Sequence, residues 1–428
     1  MASFPGDPRL AGRAVFAYRS YTLSQVARFF IVLATEMQSV AVGWQVYEIT
    51  NNTLDLGLVG LAQFLPGLLL FLVSGYTADR FNRRKVLTVG YAGFAICSGL
   101  LLAISLSHAK SVRLIYCVVA LVGIVRAFNA PASRGILPLL VPEELFRSAF
   151  AWGATVFEAA TILGPAVGGL VYGIFRTPSP VYAAAMVAAA AASLSMLGVI
   201  PKFRPRPRER FSAKTILAGL HYIWREKMVL GSISLDMFAV LLGGAVYLLP
   251  AFAKDILHSG PLGLGLLRCA PAIGATVTAV LLAHRPLGRN SGAKMLGCVA
   301  GFGAATILFG ISHSMVLSMI ALILVGATDM VSVVVRGILI QLVTPNDMRG
   351  RVNAVDMIFI GTSNELGGFE SGATARLFGT IPAVIIGGAG AIVVTAACTW
   401  LFPALRKLDE LPSAESVREA APVQASSD

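Results

Sequence analysis

Long unbroken apolar runs dominate the order of apolar and polar positions along the chain. They fall at residues 22–48, 54–78, 86–107, 114–137, 149–175, 180–200, 228–253, 262–283, 293–312, 315–343, 353–378 and 382–402. A helix needs about 20 apolar residues to cross a hydrocarbon core about 30 Å thick, whereas a barrel strand needs about 10. The runs have the helical length. The pattern therefore predicts an all-α polytopic membrane protein with twelve transmembrane helices, one per run.

The polar intervals divide the chain unevenly. Residues 1–21 carry Arg9, Arg13 and Arg19 and lack a short apolar core ending in a small-residue cleavage site, so they are expected to form a cytoplasmic tail. Residues 22–200 and 228–403 each hold six runs. Between them, 201–227 opens with the basic, proline-rich stretch Pro201–Arg210. There Ile216, Leu217, Leu220, Ile223 and Trp224 recur at helical spacing beside Lys214, Arg225 and Lys227, which predicts an amphipathic helix on the membrane surface. Residues 404–428 are expected to be a disordered cytoplasmic tail.

The halves echo one another. Arg134-Gly135-Ile136-Leu137, followed by Leu140-Val141-Pro142, matches Arg336-Gly337-Ile338-Leu339, followed by Leu342-Val343 and Pro345. Leu56-Gly57-Leu58 with Pro66 matches Leu262-Gly263-Leu264 with Pro271. Both pairs stand at corresponding helices of their halves. Six-helix halves joined by a linker on one side imply parallel pseudo-repeats about an axis along the membrane normal, with a substrate cavity between them.

Composition sharpens the class. Of 428 residues, 56% are hydrophobic and 13% charged, with a mean hydropathy of +0.76. An average soluble chain is about 25% charged. A disordered chain, a coiled coil and an ordinary cytosolic enzyme are excluded. The net charge of +12 is a topology signal. Most Lys and Arg fall in alternate loops, such as Arg80, Arg83, Arg84 and Lys85, and Arg285, Arg289 and Lys294. The opposite loops hold Lys110, Arg113, Arg176, Lys254 and Arg376. Both termini are expected in the cytoplasm, with the protein integral to the inner membrane. Basic loops facing anionic lipid require no nucleic acid partner. Cys97, Cys117, Cys269, Cys298 and Cys398 sit inside apolar runs without metal-ligand spacing, and the histidines form no cluster. With no phosphate-binding Gly-rich loop and no hydrolase motif, no cofactor, metal or enzyme activity is expected.

Charged groups inside the bilayer cost about 2.5–3.5 kcal/mol each and usually face a partner or a cavity. Run 1 holds Arg28 and Glu36, run 4 Arg126, run 5 Glu158, run 7 Asp236, run 8 Arg268, and run 10 Asp329 and Arg336. Run 11 holds Asp356, Glu365 and Glu370. The interiors of runs 3, 6, 9 and 12 hold none, so these helices are expected to face lipid while the others enclose a polar path. Asp329 and Arg336 share a helix face but stand about 10 Å apart along the axis, which excludes a direct pair. Glu365 and Glu370 differ by about 140° around theirs, so they are no carboxylate dyad.

Gly75-Tyr76-Thr77-Ala78-Asp79-Arg80-Phe81-Asn82-Arg83-Arg84-Lys85 resembles the G-x-x-x-D-R-x-G-R-[RK] signature of the major facilitator superfamily, with Asn82 in place of glycine. Asn82 is expected to keep the turn by tolerating a left-handed conformation. His284–Arg289 is a degraded echo in the second half. Ala160–Gly169 looks like the family's antiporter motif G-x-x-x-G-P-x-x-G-G, with Ala160 for the first glycine. Together with Arg349-Gly350-Arg351-Val352, these segments look most like the enterobactin-exporter and macrolide-efflux branch. The resemblance implies secondary active transport by alternating access. The expected cytoplasmic gate comprises Gly75, Asp79, Arg80, Arg83, Arg134, Arg349 and Arg351, with Asp79 meeting the start of helix 11 and Arg134. Gly164, Pro165, Gly168 and Gly169 are expected to bend helix 5 and let a neighbour approach.

The leading expectation is a proton-coupled exporter of a small amphipathic molecule, siderophore-like or drug-like, working as a monomer. Intramembrane carboxylates can carry protons between the two sides. The proton candidates are Glu158, Asp236 and Asp329, followed by Glu36, Glu365 and Glu370. Arg126, Arg268 and Arg336 are candidate anion binders or charge partners. The alternatives are a proton-coupled importer and a membrane sensor or enzyme that transports nothing.

Overall fold

The computed structural model describes residues 14–107, 111–203, 213–285 and 290–406. Most of Pro201–Arg210, the echo at 286–289 and most of both tails lie outside the described residues. The described chain is almost entirely helical. We label the helices α1 (Arg19–Thr50), α2 (Thr53–Leu69, continuing as Phe71–Arg80), α3 (Arg83–Leu106), α4 (Val112–Ile136), α5 (Phe146–Phe175) and α6 (Ser179–Leu197). The second set is α7 (Lys227–Leu242, with irregular turns to Ile256), α8 (Gly260–His284), α9 (Ser291–Ile311), α10 (Met315–Val343), α11 (Asn346–Phe378) and α12 (Thr380–Leu401).

Ten of these helices are long and apolar enough to cross a membrane. The two that fall short do so for different reasons. Helix α2 is interrupted at Leu70, which leaves its first segment, Thr53–Leu69, at only 17 residues. Helix α11 is 33 residues long but carries Asp356, Glu365 and Glu370 along its middle. A second departure from the apolar runs is in α7. It ends at Gly243-Gly244, and the run continues as a 3₁₀ turn, Ala245–Leu248, and a π-helical turn, Phe252–Ile256. A Cβ on Gly243 would lie 2.5 Å from the Phe302 ring, and one on Gly244 would lie 2.6 Å from the Gly367 carbonyl. The glycines let α7 bend against α9 and α11.

Within the first set, α1 packs on α5 and α6, and α3 on α4 and α6. Within the second, α9 packs on α10 and α12, α8 on α10, and α7 on α11 and α12. The sets meet where α2 packs on α11 and α5 on α8. Both crossings are built from glycine. A Cβ on Gly265 of α8 would stand 2.5 Å from the Pro165 carbonyl of α5, and one on Gly169 would stand 2.8 Å from Gly265 Cα. Gly57 and Gly372 bring α2 and α11 together in the same way. Gly164 and Gly168 instead seat α5 on Glu36 and Met37 of α1. Helix α5 runs unbroken through Pro165.

The hydrophobic core is not shared evenly. One cluster runs from the first set into Leu248, Phe252, Leu264, Phe309 and Ala383, all near the end of the second set remote from the linker. A separate cluster, including Ile223, Val229, Leu339 and Val352, holds the linker end of the second set alone. The linker segment forms a helix, Ala213–Arg225. It exposes Leu217 and Trp224 but buries Ile223 in that second cluster, and Tyr222 donates to the Val343 carbonyl at 3.1 Å.

Asn82 departs from the left-handed turn expected of it. Its φ is −62°, in the extended region, and its side chain caps α3 by accepting from the Arg84 amide at 3.0 Å. Asn is a good cap because its oxygen satisfies an otherwise orphan helix donor, so the substitution trades turn flexibility for a helix start.

Candidate functional site

A cavity of about 680 Å³ lies between the two sets of helices. Its charged lining is Glu36, Arg126, Arg134, Arg268 and Glu365. Arg126 of α4 reaches across the divide, with Nη1 3.6 Å from Glu365 Oε1 of α11. The Tyr247 hydroxyl donates to Glu365 Oε2 at 3.1 Å. Arg268 of α8 is near enough for its charge to act on both Glu365 and Tyr247. Gln38, Gln63, Asn129 and Asn364 add amides, while Phe94, Phe157 and Met357 add apolar surface.

The end remote from the linker is fastened shut. The Tyr47 hydroxyl of α1 donates to the Asp255 carboxylate, Lys254 Nζ donates to Asn51 Oδ1 at 2.6 Å, and Thr53 donates to the Gly372 carbonyl at 3.3 Å. The glycine crossings stand at the same end. Toward the linker end, three of the expected gate arginines bond within their own helix set. Arg83 donates to the Gly135 carbonyl at 2.6 Å, Arg349 to the Thr344 carbonyl at 3.0 Å, and Arg351 to Met348 Sδ at 3.4 Å. Arg134 points into the cavity and makes no hydrogen bond or ion pair among the described residues. Gly75 lies within the second segment of α2 and Arg80 ends it, with Arg80 exposed. The Asp79 side chain lies outside the described residues.

A second polar cluster is buried within the C-terminal set. Arg336 of α10 forms an ion pair with Asp236 of α7, both nearly inaccessible, and its Nε stands 3.7 Å from Asp356 Oδ1 of α11. Asp329 is two turns before Arg336, as the helical spacing required, and feels the charges of Asp236 and Arg336. It lines a smaller cavity of about 150 Å³. Tyr247 and Asn364 border both cavities, so the acidic cluster is separated from the main cavity by one layer of side chains.

The remaining candidates scatter. Glu158 sits at the α5–α8 seam, where Thr276 donates to it at 3.5 Å, and is not among the side chains lining the main cavity. Glu370 is bonded on its own helix by Thr374 at 2.8 Å. The expectation that uncharged helices stay out of the polar path needs correcting. Helix α3 presents Tyr91 and Phe94 to the main cavity, and α9 presents Phe302 and Thr306 to the smaller one. Absence of charge marks a peripheral helix but does not keep its inner face from the path. The amides Gln38, Gln63, Asn129 and Asn364 went unmarked; their signal was a polar side chain inside an apolar run.

A helical membrane bundle with ten candidate spans among the described residues, and a polar cavity between two helix sets, is the architecture of a transporter. The family of transmembrane secretion effectors matches residues 13–426, and the chain belongs to that family, within the major facilitator superfamily. Its relatives include the enterobactin exporter EntS of Shigella boydii serotype 4 and that of Citrobacter koseri. Each is 25% identical over 397 residues, covering 90% of this chain and 92% of the relative. Among solved structures, the nucleoside transporter NupG superposes with a TM-score of 0.69 at 14% identity, covering 90% of this chain and 99% of NupG. A bacterial homologue of ferroportin in an inward-facing state gives 0.67 at 16% identity, covering 91% and 98%. Likeness at these identities speaks for the fold. The chain is an integral membrane transporter with a small-molecule substrate.

Proposed function

We propose that the protein is a proton-coupled exporter that moves a small amphipathic molecule, siderophore-like or drug-like, across the inner membrane by alternating access as a monomer. The observation that carries this reading is the cavity walled by both helix sets and fastened by hydrogen bonds at the end remote from the linker. In this reading residues 22–200 and 228–403 are parallel six-helix repeats making twelve crossings, with α2 and α11 completing the count. The termini and the linker are cytoplasmic. The conformation is then inward-facing: the cavity can load from the cytoplasm while the Tyr47–Asp255 and Asn51–Lys254 bonds seal the outer end. Export follows from the relationship to the EntS exporters.

Coupling falls to the C-terminal cluster. One guanidinium answers three carboxylates, Asp236, Asp356 and Asp329, so the site carries surplus negative charge that a bound proton lowers. Asp236 and Asp356 both stand against Arg336, which leaves Asp329, on its own small cavity, as the exchangeable carrier. The test is efflux of a fluorescent amphipathic substrate from proteoliposomes under an imposed proton gradient. A gradient-collapsing ionophore should stop concentrative efflux, and Asp329→Asn should remove the gradient dependence while substrate binding persists. Efflux indifferent to the gradient would refute proton coupling.

A further inference from the structure

We propose that the central cavity is built for an amphipathic organic anion, with its acidic group held between Arg126 and Arg268 and its apolar body lying along Phe94, Phe157 and Met357. This rests on the transport reading and narrows its substrate class. The cavity lining sets three arginines against two glutamates, a surplus of one positive charge. Of these glutamates, Glu365 is already shared between Tyr247 at 3.1 Å and Arg126 at a loose 3.6 Å.

The arginines are held ready rather than consumed. The Arg126 side chain is 61% exposed. Arg268 makes no hydrogen bond or ion pair among the described residues. An unpaired guanidinium at membrane depth is costly and usually marks a substrate path. The two arise from different sets, α4 and α8, and act on the same carboxylate. A single anion placed there would bridge both sets. Guanidinium forks match carboxylate, sulfonate and phosphate groups in a bidentate manner.

Asn129, one turn after Arg126, borders the same cavity, but its amide is buried against Gly90 of α3 and is not open to a ligand. The cavity volume lies in the usual range for an organic ligand, about 300–1,000 Å³.

The probes are naphthalene-2-sulfonate, its uncharged sulfonamide and the (naphthylmethyl)trimethylammonium cation, titrated calorimetrically against the full chain in phosphatidylcholine nanodiscs. The sulfonate should bind at least about tenfold more tightly than the other two. Arg126→Gln and Arg268→Gln should each remove about that factor for the sulfonate and leave the sulfonamide unchanged, while Arg268→Lys should recover part of it. Variants that keep the wild-type melting temperature carry the conclusion. Equal or tighter binding of the neutral or cationic probe, no binding of the sulfonate, or indifference to both Gln variants overturns the proposal. Adding phosphatidylglycerol separates a soluble anion from a lipid headgroup: unchanged sulfonate affinity supports the proposal, and competition by the lipid overturns it. Proteoliposome efflux distinguishes the two readings. An arginine-dependent sulfonate site with no movement of any probe sinks the exporter, whereas movement of the neutral probe without sulfonate binding sinks only the anion site.

Discussion

Removing the charge from Asp236 isolates the most deeply buried ion pair. In Asp236→Asn, Arg336 keeps a guanidinium that is 4% exposed and loses its nearest counter-charge. Breaking one side of a buried pair typically costs about 3–5 kcal/mol. Two features place this case at the lower end, about 3 kcal/mol. Asp356 remains 3.7 Å away, and the asparagine oxygen still accepts a hydrogen bond. A loss of ~3 kcal/mol lowers the folded-to-unfolded ratio by roughly a hundredfold. Adding Arg336→Met removes the orphaned charge and should restore part of the loss, giving a coupling of about 2 kcal/mol in a double-mutant cycle. The assay is equilibrium urea unfolding in mild detergent for wild type, both single variants and the double variant. Additivity within about 0.5 kcal/mol, or a single Asp236→Asn variant as stable as wild type, would refute the pairing.

Two further outcomes follow from the packing. Gly265→Val puts a side chain where even a Cβ would stand 2.5 Å from the Pro165 carbonyl, so it should abolish transport, while Gly297→Ala, exposed and with open space around its position, should not; efflux assays at matched membrane abundance compare them. Weakening the closure at the end remote from the linker, the outer end in the proposed topology, with Tyr47→Phe and Lys254→Ala removes two hydrogen bonds worth about 0.5–1.5 kcal/mol each. A cysteine at Ser39, in a background without the native cysteines, should then react roughly tenfold faster with an impermeant thiol reagent added outside; an unchanged rate would show that those bonds do not hold the closed end.

What could be read from the residues divides along physical lines. Apolar runs set the helices because helix length against bilayer thickness is a local property, and the marked ends held to within several residues. Breaks inside runs are less legible: nothing in the residue types marks the interruption at Leu70, and two glycines let α7 bend only because α9 and α11 press against them. Buried charges were visible, but their partners were not. Asp236 and Arg336 are a hundred positions apart, and nothing local distinguishes Arg336, spent on an ion pair, from Arg268, which faces the cavity. The divergence of Glu365 and Glu370 was legible from helix geometry: one reaches Tyr247 and Arg126, the other bonds Thr374 on its own helix. The amides, above all Asn129, lack formal charge and so slipped past a search for ionisable groups.

The excess of arginine over glutamate in the cavity also decides where voltage acts. Carrying one net positive charge when empty, the cavity becomes neutral on taking up a monovalent anion. In the proposed exporter, outward movement of the loaded cavity then carries no net cavity charge across the field. The empty cavity carries its charge on the way back, and a negative interior pulls it toward the cytoplasm with about 2.3 kcal/mol per 100 mV for a full crossing of the field. The cavity's share of the voltage thus falls on resetting that exporter rather than on expelling its cargo.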